Sequence, residues 1–364
     1  VRSFAIKELA PLAAGIDADA RFPIELLPKM ASLGLLGMTI PDEFGGSELD
    51  AVGISLAISE IGRICGSTGL SLAAHVGLGC YPISRWGTIE QKKLWLPSLA
   101  AGRSLGALCL TEPDAGSDLR GIRTTAKRVS GGYILNGSKA WITNPSLSDV
   151  LIVFARHSDA HTEYSLLLVP TSESGVDIGP PETKMGARGS PTHSVTLADV
   201  FLPETAILGT EGKGLSHTLE ILDGGRISIG ALSVGIARGA LEQAVGYAKS
   251  RTAFGRTLTS FQAIQWMIAD AATEIEAATL LVYQASVLKD QGLPFSRQAA
   301  MAKLFASEAA ERVTRNAIQI FGSYGYSKEF PVERMYRDAR LMTIGEGTSE
   351  IQRVVISRGV IKEG

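Results

Sequence analysis

The chain has 364 residues, 45% hydrophobic, 20% charged and 6% aromatic, enough for about two to three domains with sizeable cores. Its 35 Lys+Arg against 37 Asp+Glu leave a formal charge of −2, so no field of one sign gathers a nucleic acid or an anionic membrane surface. Cys65, Cys80 and Cys109 are odd in number and lack a C-x-x-C spacing, which argues for reduced, buried thiols rather than disulfides or a zinc site.

From about Phe4 to Ala100 apolar residues recur at helical spacing, as in Met30–Leu36 and Ile54–Ile61, with Pro and Gly clusters between them. The 21 uncharged residues Ile64–Ser84 are long enough to span a bilayer. They carry Ser67, Thr68, His75 and Pro82 and no sustained Leu/Ile/Phe run, so they read as a buried helix with a loop. No apolar signal run follows the charged opening Arg2, Lys7 and Glu8. Between Gly106 and Leu208 the period changes to short strands, among them Tyr133–Leu135, Ala140–Thr143, Val150–Phe154, Tyr164–Val169 and His193–Leu197, punctuated by Gly-Gly, Asn-Gly and Pro turns. Regular short strands predict an antiparallel barrel or sandwich. After Gly214 helical spacing returns, with Gln262–Gln291 and Gln298–Phe321 long enough to build a bundle. The expected fold is therefore multidomain: helical over 1–105, β over 106–210, and a helical bundle over 211–364.

Absent motifs exclude several chemistries. No G-x-G-x-x-G follows a strand, and no Walker loop, H-E-x-x-H or G-x-S-x-G occurs. Ser286 and Lys289 match S-x-x-K by letters only, inside a helical run without companion motifs. The five histidines are scattered, and no metal site is expected.

Six segments carry the positive signal: Leu108–Asp118, Trp141–Asn144, Asp223–Arg226, Arg251–Arg256, Gln319–Tyr326 and Ile344–Arg353. Within the last, Ser349 and Gln352 have capping-box spacing, and the glycines around Glu346 supply a turn. A carboxylate between two glycines also sits on backbone that can approach a ligand closely, where desolvation would raise its pKa toward that of a useful base.

In order and spacing the six segments resemble the acyl-CoA dehydrogenase family, with a short-chain, butyryl-CoA-type arrangement running from about residue 4 to the C-terminus. The resemblance implies FAD as cofactor and Glu346 as the base that takes the α-proton of an acyl-CoA while the β-hydrogen leaves as hydride to flavin N5. Some relatives place the base at the third position of the segment that here reads Asp223–Arg226. Gly225 occupies it and cannot serve. The Glu346 N–H and a ribityl hydroxyl are implied as donors to the developing enolate oxygen. Flavin contacts are implied for Leu108, Leu110, Thr111, Gly116, Ser117, Trp141, Ile142 and Thr143, with Trp141 over the ring. Thr348, Ser349 and Glu350 are implied at a helix N-terminus. Arg251, Phe254, Gln262, Gln319, Ile320, Gly322 and Ser323 are implied for the pyrophosphate and adenosine, partly from a neighbouring subunit; Arg251 reads equally as a helix-end arginine. On the acyl-CoA side the resemblance implies Ser117, Asp223, Arg226 and Gly347, and Arg226 is alternatively an ion-pair partner.

Three departures matter. Gly345 stands where many relatives have tyrosine, which predicts a wider acyl pocket for branched, cyclic or longer groups. Ser323 replaces a common glycine. Gly66–His75 holds no Lys or Arg to receive a second carboxylate, so a dicarboxylic substrate is disfavoured. The expected function is α,β-dehydrogenation of an acyl-CoA to the trans-2-enoyl-CoA, with electrons passed to an electron-transfer flavoprotein by a homotetramer in the cytoplasm, or the mitochondrial matrix of a eukaryote. The alternatives are an oxygen-using oxidase of the same fold and a non-catalytic acyl-CoA- or flavin-binding protein.

Overall fold

A computed structural model describes residues 1–158 and 163–363. The uncharged stretch after Arg63 is helical almost throughout: Gly66–Ala73, a π-helical Ala74–Cys80 and Tyr81–Trp86 follow one another without the expected loop. Pro82 falls in the first turn of the last piece, where its missing N–H leaves no helical bond unmade. No helix among the described residues is long and apolar enough to cross a membrane. His75, fully buried, donates from Nε2 to the Leu36 carbonyl (2.9 Å) and accepts the Gly106 N–H at Nδ1 (2.9 Å), tying the π-helical turn to the start of the sheet.

Eight strands form one sheet: β1 (Ala107–Cys109), β2 (Thr125–Val129), β3 (Gly132–Thr143), β4 (Val150–His157), β5 (Tyr164–Pro170), β6 (Val176–Pro181), β7 (Thr192–Pro203) and β8 (Ile207–Leu208). Their order is β6-β7-β3-β2-β4-β5-β8, with β1 on β4. Most neighbours are antiparallel as expected. However, β1 and β2 both run parallel to β4, and β6 and β8 stay at opposite ends, so the sheet does not close into a barrel. Periodicity reports burial and carries no strand direction, which is why these two parallel pairings were not foreseen. β4 is covered on both faces: Leu151, Val153 and Ala155 join Tyr133, Leu135 and Leu197 inside the sheet domain, while Val150, Ile152 and Phe154 pack with Leu108, Leu110 and Ile221 toward the helices. That explains its unbroken apolar run.

The bundle is built on a long helix, Gly214–Ser250, flanked by Gln262–Asp290 and Ser296–Phe321, with Val332–Met342 and a terminal helix, Ser349–Glu363, closing it. The long helix touches the N-terminal helices backbone to backbone: a Cβ on Gly235 or Gly239 would run into the carbonyl of Ser59 or Arg63. Leu232, fully buried, fills the hollow that Gly62 and Gly69 leave. Cutting it to alanine removes that plug, at about 2–5 kcal/mol.

Candidate active site

Glu346 is the residue around which the rest is arranged. It lies in the turn between the Val332–Met342 helix and the terminal helix, at φ +52°, and Gly347 follows at φ +90°. A left-handed glutamate is a strained conformation that surrounding contacts must hold. Gln352 Nε2 (2.8 Å) and Lys303 Nζ (2.7 Å) both donate to the Gly347 carbonyl. Gln352 is thus taken up by the turn, and the expected Ser349–Gln352 capping box does not form; Ser349 Oγ is buried without a partner and Thr348 Oγ1 caps weakly, accepting the Ile351 N–H at 3.4 Å. The cause is the left-handed turn, which brings a carbonyl within reach of Gln352.

Although the residue as a whole is half-buried, Glu346 keeps Oε2 sealed from solvent and without a hydrogen bond among the described residues. Burial pushes its pKa up to about 7, against the pull of Lys303 and Arg226. The carboxylate rests against the long helix, where a Cβ on Gly225 would collide with Oε2. The two positions considered for a base therefore converge on one point in space, and only glycine at 225 leaves the carboxylate its place. The Glu346 N–H makes no backbone hydrogen bond among the described residues.

Arg226 is buried and pairs with Asp223, which also accepts Ser296 Oγ (2.9 Å). Burial raises the Asp223 pKa and lowers that of Arg226. The ion-pair alternative is therefore realised, and the pair still faces Glu346.

The second group sits on the sheet. Leu108 and Leu110 are buried, Thr111 is half-buried, and Gly116 and Ser117 lie exposed in the loop beyond. Ala140 N donates to the Thr111 carbonyl (2.9 Å), placing this segment beside β3. Buried Lys139 fixes the pairing, reaching the Leu110 carbonyl (3.1 Å) and Glu112 (2.8 Å). Trp141 falls where the β3–β7 register slips, at φ +60°, and the residue is 60% exposed. A bulge re-aims one side chain out of the sheet, and here it turns out a bare indole. Thr143 follows half-buried, while the Ile142 side chain enters the core. Leu78, from the π-helical turn, packs with the Leu108–Leu110 cluster and lies 3.4 Å from the Gly225 Cβ position, so the strand group and the Glu346 group face each other across it. Thr348, Ser349 and Glu350 border a groove with Arg340 and Thr343.

The third group lies elsewhere. Arg251 ends the long helix 25 residues beyond Arg226, about 37 Å away along the axis. Its guanidinium stands over the Tyr324 ring (5.8 Å). Phe254 is 96% exposed at φ +53°, Gln262, Gln319, Gly322 and Ser323 are exposed, and Ile320 is buried. Within one chain these residues do not meet Glu346.

Family models for the acyl-CoA dehydrogenase N-terminal, middle and C-terminal domains match residues 1–103, 107–200 and 212–361. The chain belongs to the acyl-CoA dehydrogenase family. It is 50% identical to a probable acyl-CoA dehydrogenase, YngJ, of Bacillus subtilis (strain 168), with 100% of this chain and 96% of that protein covered. Among solved structures it is similar to butyryl-CoA dehydrogenase from Megasphaera elsdenii, at 40% identity and a TM-score of 0.95, covering 99% and 96% of the two chains. A chain from a structure described as the electron transferring flavoprotein of Acidaminococcus fermentans matches at 43% identity and a TM-score of 0.96, with the same coverage.

The groups that hold the Glu346 turn and the strands of this acyl-CoA dehydrogenase, namely Lys303, Gln352, Lys139, Glu112, His75 and Leu78, were not among the sequence candidates. Lys303 carried a legible signal. It falls three or four residues from Ala299, Ala300 and Ala306 on the buried stripe of its helix, where an unpaired lysine is out of place.

Proposed function

We propose that this protein is an FAD-dependent acyl-CoA dehydrogenase that converts an acyl-CoA to the trans-2-enoyl-CoA with Glu346 as the α-proton base. One observation carries the reading: a buried carboxylate with an empty acceptor atom, raised to about 7, on a strained turn, with glycine cleared in front of it. A pKa near the working pH gives a base that is ionised when needed yet strong enough to take a weakly acidic proton. The free Glu346 N–H is placed to donate to the thioester oxygen as negative charge develops.

The residues present fit FAD. Trp141 offers an uncovered ring face beside Thr143, the Leu108–Thr111 strand and the Gly116–Ser117 loop line the same side, and Thr348, Ser349 and Glu350 present a helix N-terminus suited to an anionic group. When bound, FAD supplies the two-electron acceptor on the β-carbon side of the substrate. Asp223, Arg226, Gly347 and Ser117 border the acyl-CoA, and an electron-transfer flavoprotein receives the electrons.

The remoteness of Arg251, Phe254, Gln262, Gln319, Ile320, Gly322 and Ser323 from Glu346 supports a homo-oligomer in which they hold the pyrophosphate and adenosine of a neighbour's FAD. Phe254, Trp266, Leu280 and Tyr283, all exposed, supply apolar surface for a homotetramer.

The test is an anaerobic titration of the yellow protein with acyl-CoAs of differing length and branching. Bleaching of the oxidised flavin band is expected, and Glu346→Gln should slow it by about 10²–10⁴-fold with flavin content unchanged. Flavin that bleaches as fast in Glu346→Gln refutes the assignment.

A further inference from the structure

Two buried cations face the Glu346 carboxylate, and they differ in what else they do. Arg226, from the long helix, is committed to Asp223. Lys303, from the Ser296–Phe321 helix, has no exposed surface and forms no salt bridge among the described residues; its ammonium donates to the Gly347 carbonyl. Burying an ammonium without a carboxylate partner is costly, and a helix could satisfy this position with alanine or leucine. A lysine retained there needs a reason beyond packing.

We propose that Lys303 is a positioning residue for the base, clamping the carbonyl that follows Glu346 and presenting to its carboxylate the buried positive charge that Arg226 has already given to Asp223. This rests on Glu346 being the base. The clamp acts on the backbone: Glu346 at φ +52° and Gly347 at φ +90° are held by two donors on one carbonyl, Lys303 from one helix and Gln352 from another. The charge acts on the side chain. Burial alone drives Glu346 toward its protonated form, in which it cannot accept the α-proton, and a nearby cation restores the ionised one. The two donors thus divide the work, because Gln352 can hold the turn but carries no charge. Lys303 itself is drawn down to about 8 by burial, with Glu346, Arg226, Glu350 and Glu308 acting on it, so it remains cationic through neutral pH. From the π-helical turn Leu78 approaches this point, and it brings no charge.

The experiment compares Lys303→Met, Lys303→Gln and Gln352→Leu holoenzymes with wild type, measuring the rate of flavin reduction by the best-bleaching acyl-CoA against pH. Wild type should gain activity as pH rises through about 7, where Glu346 ionises. Removing the Lys303 charge makes the carboxylate harder to form, so in Lys303→Met the limb should move up by about one to three pH units. Lys303→Gln can still donate to Gly347 and should show the same displacement, which keeps the test open if the methionine variant does not fold. Gln352→Leu should lower the rate and leave the limb where it is. A second readout needs no turnover: the pH at which the gap in unfolding midpoint between wild type and Glu346→Gln stops widening, about 7, should rise by the same amount in a Lys303→Gln background, while the pH at which the gap opens stays near 4.5. A limb that stays in place in the flavin-bound Lys303 variants, or a wild-type profile without one, overturns the proposal while Glu346→Gln still fails to bleach. Bleaching that survives in Glu346→Gln refutes the base assignment instead.

Discussion

The molecule buries two lysine–glutamate combinations and uses them in opposite ways. On the sheet, Lys139 lies 2.8 Å from Glu112, and Glu112 also accepts the backbone N–H groups of Arg123 (2.6 Å) and Thr124 (3.0 Å). Burial would raise the Glu112 pKa, but the Lys139 charge and these donors more than reverse it, and the group is held below its usual range. Near the terminal helix, Lys303 bonds a carbonyl and Glu346 Oε2 bonds nothing, so burial prevails and the carboxylate rises to about 7. Residue types are alike; the number of donors given to the carboxylate differs, and so does how fully burial acts on it. A satisfied pair sets the position of two strands, and an unsatisfied one leaves a lone pair for a substrate proton.

The comparison breaks first on stability. Removing one partner of a bonded buried pair strands a charge, so Lys139→Met should cost about 3–5 kcal/mol in urea denaturation, with part recovered when Glu112→Leu is added. Lys303→Met should cost clearly less, since its neighbour can take up a proton instead. Equal losses at the two lysines would mean that both are structural.

Next comes pH. The folded protein holds the Glu346 proton more tightly than the unfolded chain, with a pKa of about 7 against 4.5. Ionising it therefore costs stability: nothing below about pH 4.5, progressively more up to about 7, and about 3 kcal/mol above that. Glu346→Gln should match wild type in acid and exceed it by about that amount at pH 8, as read from unfolding midpoints. Glu112→Gln should show the opposite sign, losing stability above its depressed pKa. Parallel curves for the two glutamine variants would erase the contrast.

Much of this was legible in the sequence because it is written in local signals. Period changes marked helix, strand and helix, and Glu346 stood out between two glycines in a run of family-like residues. What was not legible depends on which distant residues meet. The parallel alignment of β1 and β2 with β4 leaves no trace in an apolar run that is buried on both faces. Gln352 looked like half of a capping box until the left-handed turn claimed it. The convergence of Gly225 with Glu346 joins residues 121 positions apart, and Trp141 is turned outward by a register slip set by β7.

That convergence gives a smaller and sharper test. Alanine at 225 would place its methyl group on Oε2, and because the obstruction is the free end of a side chain, the fold gives way there first. Gly225→Ala should keep its unfolding midpoint, helped by helix propensity, and lose about 10- to 100-fold in flavin reduction through displacement of the base. Normal reduction in this variant would show that the carboxylate swings clear of Gly225 when substrate binds.

The mildest change probes the residue before the base. A Cβ on Gly345 would lie 3.6 Å from the Leu341 carbonyl and 3.8 Å from Leu341 Cδ1, ordinary contacts, so a side chain fits without moving the turn. Glycine here is therefore not demanded by the backbone, and its effect is on the volume left beside Glu346. Tyrosine would refill that volume. Gly345→Tyr should keep reduction by short straight acyl-CoAs and lower it for branched, cyclic or longer ones, shifting the ratio of kcat/KM values by about tenfold, the usual range for discrimination by apolar bulk. An unchanged ratio would show that the acyl group does not reach residue 345, and would move the search for the specificity wall to the π-helical turn that carries Leu78.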